Sequence, residues 1–112
     1  MKHTHLILLL SILLFFSCQS EEKQYIIGVS QCSDDEWRHK MNMEMQHEAM
    51  FHDGITLDIK TVGDDTERQI ADIEGFIRQK VDLIIVAPNQ ARPVTPVVEK
   101  AFKAGIPVIL VD

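Results

Sequence analysis

Asp82-Leu83-Ile84-Ile85-Val86-Ala87 is a run with no polar residue between Asp82 and the Pro88 that closes it. It is too short for a stable buried helix and rich in β-branched side chains, which reads as a strand. A strand with one wet face alternates apolar and polar residues, whereas an unbroken run marks a strand covered on both faces. Such a strand belongs in a parallel sheet with helices above and below it. The residues on either side of it are therefore expected to be helical.

Upstream, Ile70, Ile73 and Ile77 form a core stripe at helical spacing behind the turn Gly63-Asp64-Asp65, and Thr66 with Gln69 three residues on makes a capping-box pattern. Downstream, Val97, Val98, Ala101 and Phe102 give an apolar side to a helix that begins after Pro93, with Thr95 as cap and Pro96 in the first helical position, and that ends at Gly105. Pro107-Val-Ile-Leu-Val-Asp112 is a further strand. Toward the N-terminus, Thr56 to Val62 alternates, with Leu57, Ile59 and Thr61 on one face and Thr56, Asp58 and Lys60 on the other, which predicts a strand at or near the sheet edge. Trp37, Met41, Met45 and Ala49 recur every four residues and predict an amphipathic helix over Glu36 to Phe51, closed by Asp53-Gly54. Tyr25-Ile-Ile-Gly-Val-Ser30 is a buried strand feeding the polar loop Gln31 to Asp35. Strand and helix thus alternate from Tyr25 to Asp112, which specifies an α/β fold with a parallel sheet flanked by helices.

Met1 to Cys18 has a different character. Lys2 supplies a positive start, Leu6 to Phe16 is apolar except for Ser11, and Ser17 precedes Cys18, the pattern of an export signal. The run is well short of the ~20 apolar residues that span a bilayer. Cysteine at its end resembles a bacterial lipobox, with Phe15 and Phe16 departing from the Leu and small residue of the strict pattern, so Cys18 is the expected lipidation site. Cleavage elsewhere and a retained signal anchor are the alternatives. Gln19 to Gln24 reads as a short polar tether. Cys32, the only other cysteine, is expected as a free, partly buried thiol.

The chain of 112 residues has room for one modest core. Its net charge is −6 and every acid lies beyond Cys18, so the exported body is acidic without a basic patch, which argues against nucleic acid as a partner. Ligands of parallel sheets sit at the carboxyl ends of the strands. That rule points to Gln31 to Trp37, Pro88 to Arg92, and Asp112. The first of these turns, Gln31-Cys32-Ser33-Asp34-Asp35, has no glycine to let backbone approach a phosphate, and its two carboxylates repel one. Nucleotide cofactors are excluded on this ground, and no cofactor is expected. Carboxylates and amides do suit a hydroxyl-rich neutral ligand. Trp37, one turn into the helix, either offers a ring face to a sugar or packs in the core.

The Met- and His-rich helix, with His39, Met41, Met43, Met45, His47, Met50 and His52, carries soft copper ligands, but Met43 points away from Met41 and Met45, which the core face needs. His47 and His52 are five apart and diverge, unlike the zinc-protease spacing. His39, His47 and His52 are expected on the surface, and no metal site is expected. Asp34-Asp35 and Asp64-Asp65 read as solvated turn charges, and no nucleophile and base stand at a catalytic spacing, so the chain is not expected to be an enzyme. The rival from that class uses Asp34 and Asp112 as acid and base on a sugar.

At Tyr25-Ile-Ile-Gly-Val-Ser30, Lys80-Val-Asp-Leu-Ile-Ile-Val-Ala-Pro-Asn89 and Ala104-Gly-Ile-Pro-Val-Ile-Leu-Val-Asp112 the sequence resembles the type I periplasmic sugar-binding family, which includes ribose-binding proteins and the ligand-binding cores of lactose-repressor-type regulators. The resemblance implies a two-lobed protein whose lobes close on a monosaccharide, with residues 25–112 forming part of the N-terminal lobe. It implies ligand contacts from Asp112, from Asp34 and Trp37 in the loop after the first strand, and from Asn89 and Gln90 after the third. Gln31, at the first strand's end, joins these as a candidate. Asp34 stands at or near a position where the family has Asn, and Glu36 stands where an aromatic is common. The stretch Gln31 to Arg38 followed by the Met-rich helix looks especially like the periplasmic sensor part of hybrid two-component regulators, with kinase domains downstream as partners. A solute-binding lipoprotein serving a transporter permease is the alternative. Either places the protein on the periplasmic side of the envelope, attached to the membrane.

Overall fold

The computed structural model of the protein describes residues 22–112. The leader with Cys18, and Gln19 to Glu21 of the tether, lie outside the described residues. Glu22 to Gln24 are exposed and without regular structure. The elements follow in the order β1 (Tyr25–Gln31), α1 (Glu36–Ala49), β2 (Ile55–Thr61), α2 (Thr66–Gln79), β3 (Leu83–Val86), α3 (Ala91–Lys103) and β4 (Val108–Leu110). All four strands are parallel in the order β2-β1-β3-β4, so the alternating strand is indeed at an edge.

Side chains on β1 show which face each helix covers. Ser30 hydrogen-bonds Gln69 on α2, while the next residue, Gln31, bonds Asn42 on α1. Successive strand residues point to opposite faces, so α1 covers one face and α2 the other, with α3 packed beside α2. The core lies on the α2–α3 side, built from Ile73, Phe76, Val81, Ile84, Val86, Val94, Val97, Ala101 and Ile106.

Several local expectations are corrected. The α2 stripe is centred on Gln69, Ile73 and Phe76, all fully buried, with Ile70 and Ile77 at its flanks. Its N-cap is Asp65, whose carboxylate accepts from the Arg68 N–H at 3.0 Å, because Gln69 is drawn inward instead of back over the helix start. Helix α3 starts at Ala91, two residues before Pro93. Pro93 then falls in the first turn, where a missing N–H costs nothing, and Pro96 sits inside the helix, with Thr95 Oγ1 donating back to the Ala91 carbonyl at 2.8 Å. Phe102 is 73% exposed and lies outside the α3 core face, which is Val94, Val97 and Ala101. The helix ends as expected at Gly105, whose φ of 83° lets Gly105 N–H reach the Phe102 carbonyl and Ile106 N–H reach that of Ala101.

Helix α1 has no fully buried residue. Met41, Met45 and Ala49 are half-buried against the sheet, but Trp37 is 69% exposed and is not part of their stripe. Among the described residues no helix is long and apolar enough to cross a membrane.

Candidate functional site

The chain leaves β1 toward β2 on one side and leaves β3 toward β4 on the other, so neighbouring strands β1 and β3 send their loops in opposite directions. A crevice forms at such a reversal, outside the carboxyl ends of the strands. Because the sheet is parallel throughout, the loops after β1, β2 and β3 and the residues after β4 share this rim. Asp34, Trp37, Asn89, Gln90 and Asp112 all belong to it.

The six candidates differ in how much of their polarity the fold already uses. Gln31 is fully buried under α1, its Nε2 donating to Asn42 Oδ1 at 2.6 Å, while its Oε1 has no partner among the described residues. An unpaired buried acceptor costs roughly 1–3 kcal/mol, so this oxygen favours any O–H that reaches it. Asn89 is half-buried, and its Nδ2 donates to the Asp64 carbonyl at 2.7 Å and to Thr66 Oγ1 at 2.8 Å. Those bonds tie the loop after β3 to the loop after β2. Gln90 occupies the N-cap position of α3 without a side-chain capping bond and is exposed. Asp112 is exposed just beyond β4.

In the loop after β1, Asp34 and Asp35 have different tasks. Asp35 is the N-cap of α1, accepting from Ser33 Oγ at 2.6 Å and from the Arg38 N–H at 2.9 Å. The Ser33 hydroxyl first, and then that backbone N–H, hold its carboxyl below the usual carboxylate range, so it stays ionised and committed to the helix. Asp34 is exposed, with His39 Nδ1 at 3.6 Å, and caps no helix. Trp37 follows as the second residue of α1. Its ring is 69% exposed and so is not used by the core.

Sequence reasoning did not find the network beneath this rim. Gln69, fully buried, donates from Nε2 to the Ala87 carbonyl at 2.8 Å and to Ser30 Oγ at 3.1 Å, and its Oε1 accepts from the Asn89 N–H at 2.8 Å. A polar residue inside an apolar helical stripe was the available signal. Cys32 is half-buried with a free thiol, and His39, His47 and His52 are exposed. Among the described residues no group of three or more His, Cys, Asp or Glu side chains is placed to hold a metal. The rim offers hydrogen-bond donors, acceptors and one aromatic face, an arrangement for binding hydroxyls.

Comparison with known proteins agrees with this fold. Residues 27–112 match the model of the periplasmic binding protein domain. The galactofuranose-binding protein YtfQ of Escherichia coli is 38% identical over 87 residues, covering 77% of this chain and 27% of that protein. The ribose import binding protein RbsB of Bacillus subtilis is 26% identical over 124 residues, covering 99% of this chain and 40% of that protein. Among solved structures, the fructose binding periplasmic domain of a hybrid two component system superposes with a TM-score of 0.78 at 53% identity, over 80% of this chain and 30% of that one. The chain thus spans well under half the length of the relatives it matches.

Proposed function

The chain belongs to the periplasmic binding protein domain family, and on that premise we propose that it binds a monosaccharide without chemical transformation, on the periplasmic side of the cell envelope. The observation that carries this reading is the rim itself: Trp37, Asp34, Gln90 and Asp112 are all exposed at the carboxyl end of the sheet, where β1 and β3 send their loops in opposite directions. Trp37 stacks on the apolar face of the sugar, and the other three hydrogen-bond its hydroxyls. Asn89 contributes its carbonyl oxygen, its N–H groups being used by Asp64 and Thr66. Gln31 ties the end of β1 to α1 through Asn42.

The likeness at 53% identity to a fructose-binding sensor domain favours a sensory input for a hybrid two-component kinase, with kinase domains as its partners. The second reading, a solute-binding lipoprotein that delivers sugar to a transporter permease, is supported by the likeness to the ribose import protein.

Calorimetry of the protein expressed from its complete reading frame, against a panel beginning with D-fructose and D-ribose, is expected to find one sugar that binds. Asp112→Ala removes charge-assisted hydrogen bonds and is expected to weaken that sugar roughly ten- to a hundredfold while leaving the melting temperature unchanged. Trp37→Ala is expected to behave likewise. Failure across the panel would sink the reading, and loss of melting temperature in step with affinity for Trp37→Ala would make that ring a packing residue.

Attachment to the membrane through lipid on Cys18 belongs to the same proposal. Mass spectrometry of the N-terminal peptide of the mature protein is expected to show a diacylated or triacylated cysteine. An unmodified Cys18 still joined to Ser17 would replace the lipid with a retained leader as anchor.

A further inference from the structure

We propose that Gln69 is the positioning residue of this site, setting the affinity for sugar from beneath the rim without touching the ligand; the inference rests on the sugar-binding reading above. Its three bonds join the end of β1, the end of β3 and the loop that carries Asn89 and Gln90. The orientation of its amide is fixed by its neighbours, because the Ala87 carbonyl only accepts and the Asn89 N–H only donates. Nitrogen must face Ala87 and oxygen must face Asn89.

What this arrangement controls is the path of the chain out of β3. The Ala87 N–H already donates to the Ser30 carbonyl at 2.9 Å, which continues the sheet by one rung. Beyond that rung Gln69 takes over, accepting from the Asn89 N–H as a sheet partner would and holding the loop to α2. Asn89 then reaches the Asp64 carbonyl and Thr66 Oγ1, and Gln90 is delivered to the start of α3 with its side chain free. A ligand contact placed by a loop is only as good as the loop's support, and a shift of a few tenths of an ångström at Gln90 is felt in its hydrogen bonds. Gln69 contacts none of the exposed candidates by side chain, so its effect travels through the Asn89 backbone.

The test uses the protein from its complete reading frame and two variants. In Gln69→Met, which keeps length and loses all three bonds, the affinity for the sugar found with the wild type is expected to fall about tenfold or more. In Ser30→Ala, which removes one of the same buried bonds but leaves Gln69 on Ala87 and Asn89, affinity is expected to stay within about twofold while the melting temperature drops. Amide hydrogen exchange supplies a readout that needs no ligand: the Asn89 N–H is expected to be protected in the wild type, and to lose that protection in Gln69→Met while Val86 in β3 keeps its own. An unprotected Asn89 amide in the wild type overturns the proposal, even if Gln69→Met does not fold. So does Gln69→Met binding with wild-type affinity. A wild type that binds no sugar overturns instead the reading on which the proposal rests, and that outcome is visible before any variant is made.

Discussion

Gly28→Ala is expected to destabilise the fold by about 1–3 kcal/mol, although alanine suits a strand better than glycine does. Gly28 lies in the middle of β1, on the face that α2 covers, and a Cβ built there would meet the Phe76 ring at 2.7 Å from Cγ and Cδ2 and 2.9 Å from Cδ1. Carbon atoms do not approach that closely, so either the ring or the strand must move. Neither has room. Phe76 is fully buried among Ile73, Ile84 and the rest of the core, and β1 is paired on both sides, to β2 and β3. The opposing gain, from reducing the freedom of the unfolded chain, is about 0.4–1 kcal/mol and does not cover the clash. For a domain of this size the melting temperature should fall by roughly 4–8 °C per kcal/mol. In a Phe76→Leu background, where the ring is gone, the same substitution should cost markedly less, and that difference measures the contact. A Gly28→Ala protein that melts with the wild type would show that α2 does not press on β1 as described.

That contact also explains what could and could not be read in the sequence. The unbroken run at Leu83 to Val86 and the alternation at Leu57 to Thr61 placed one strand inside the sheet and another at its edge, because burial on two faces and on one face leave different periods. The α2 stripe was displaced in the reading from Gln69, Ile73 and Phe76 to three isoleucines. A phenylalanine at this position packs only because glycine stands opposite, and that pairing spans two elements. The start of α2 was misjudged for a related reason. Gln69 three residues after Thr66 matches a capping box, but its amide bonds Ser30, 39 positions away, and leaves the cap to Asp65. Prolines misled at α3, where Pro93 and Pro96 read as a helix start and in fact lie within the first two turns. In the candidate site, the rule about strand ends brought Asp34, Trp37, Gln90 and Asp112 to one rim without any knowledge of contacts. It was blind to the fact that Asn89 and Gln31 spend their amides inside the fold, since local spacing carries no sign of either bond.

A polypeptide of Glu21 to Asp112 on its own is expected neither to bind the sugar tightly nor to remain monomeric. The rim gives a ligand one wall: Trp37, Gln90 and Asp112 are exposed, so a sugar resting on them keeps its opposite face in water. Affinity for small ligands depends on burying most of their surface, and a half-buried monosaccharide retains only a fraction of the binding energy against the same loss of freedom. Association follows from the other end of the sheet. Among the described residues β4 pairs with β3 alone, and its far edge presents unpaired backbone groups next to Ile109 at 48%, Leu110 at 61% and the α3 residue Phe102 at 73% exposure. Natural edges are protected by charge, proline or a bulge. Pro107 lies just before this strand, and Val108 to Leu110 carries no charge of its own. Light scattering should therefore report dimers or larger species whose proportion rises with concentration, and Ile109→Lys, which puts a charge on the edge, should shift the population toward monomer. Titration with the sugar bound by the complete protein should give an affinity weaker by at least about a hundredfold. A monodisperse monomer that binds at micromolar affinity would defeat both halves of the prediction together, because it would mean that this sheet closes its own edge and that its rim encloses a sugar unaided.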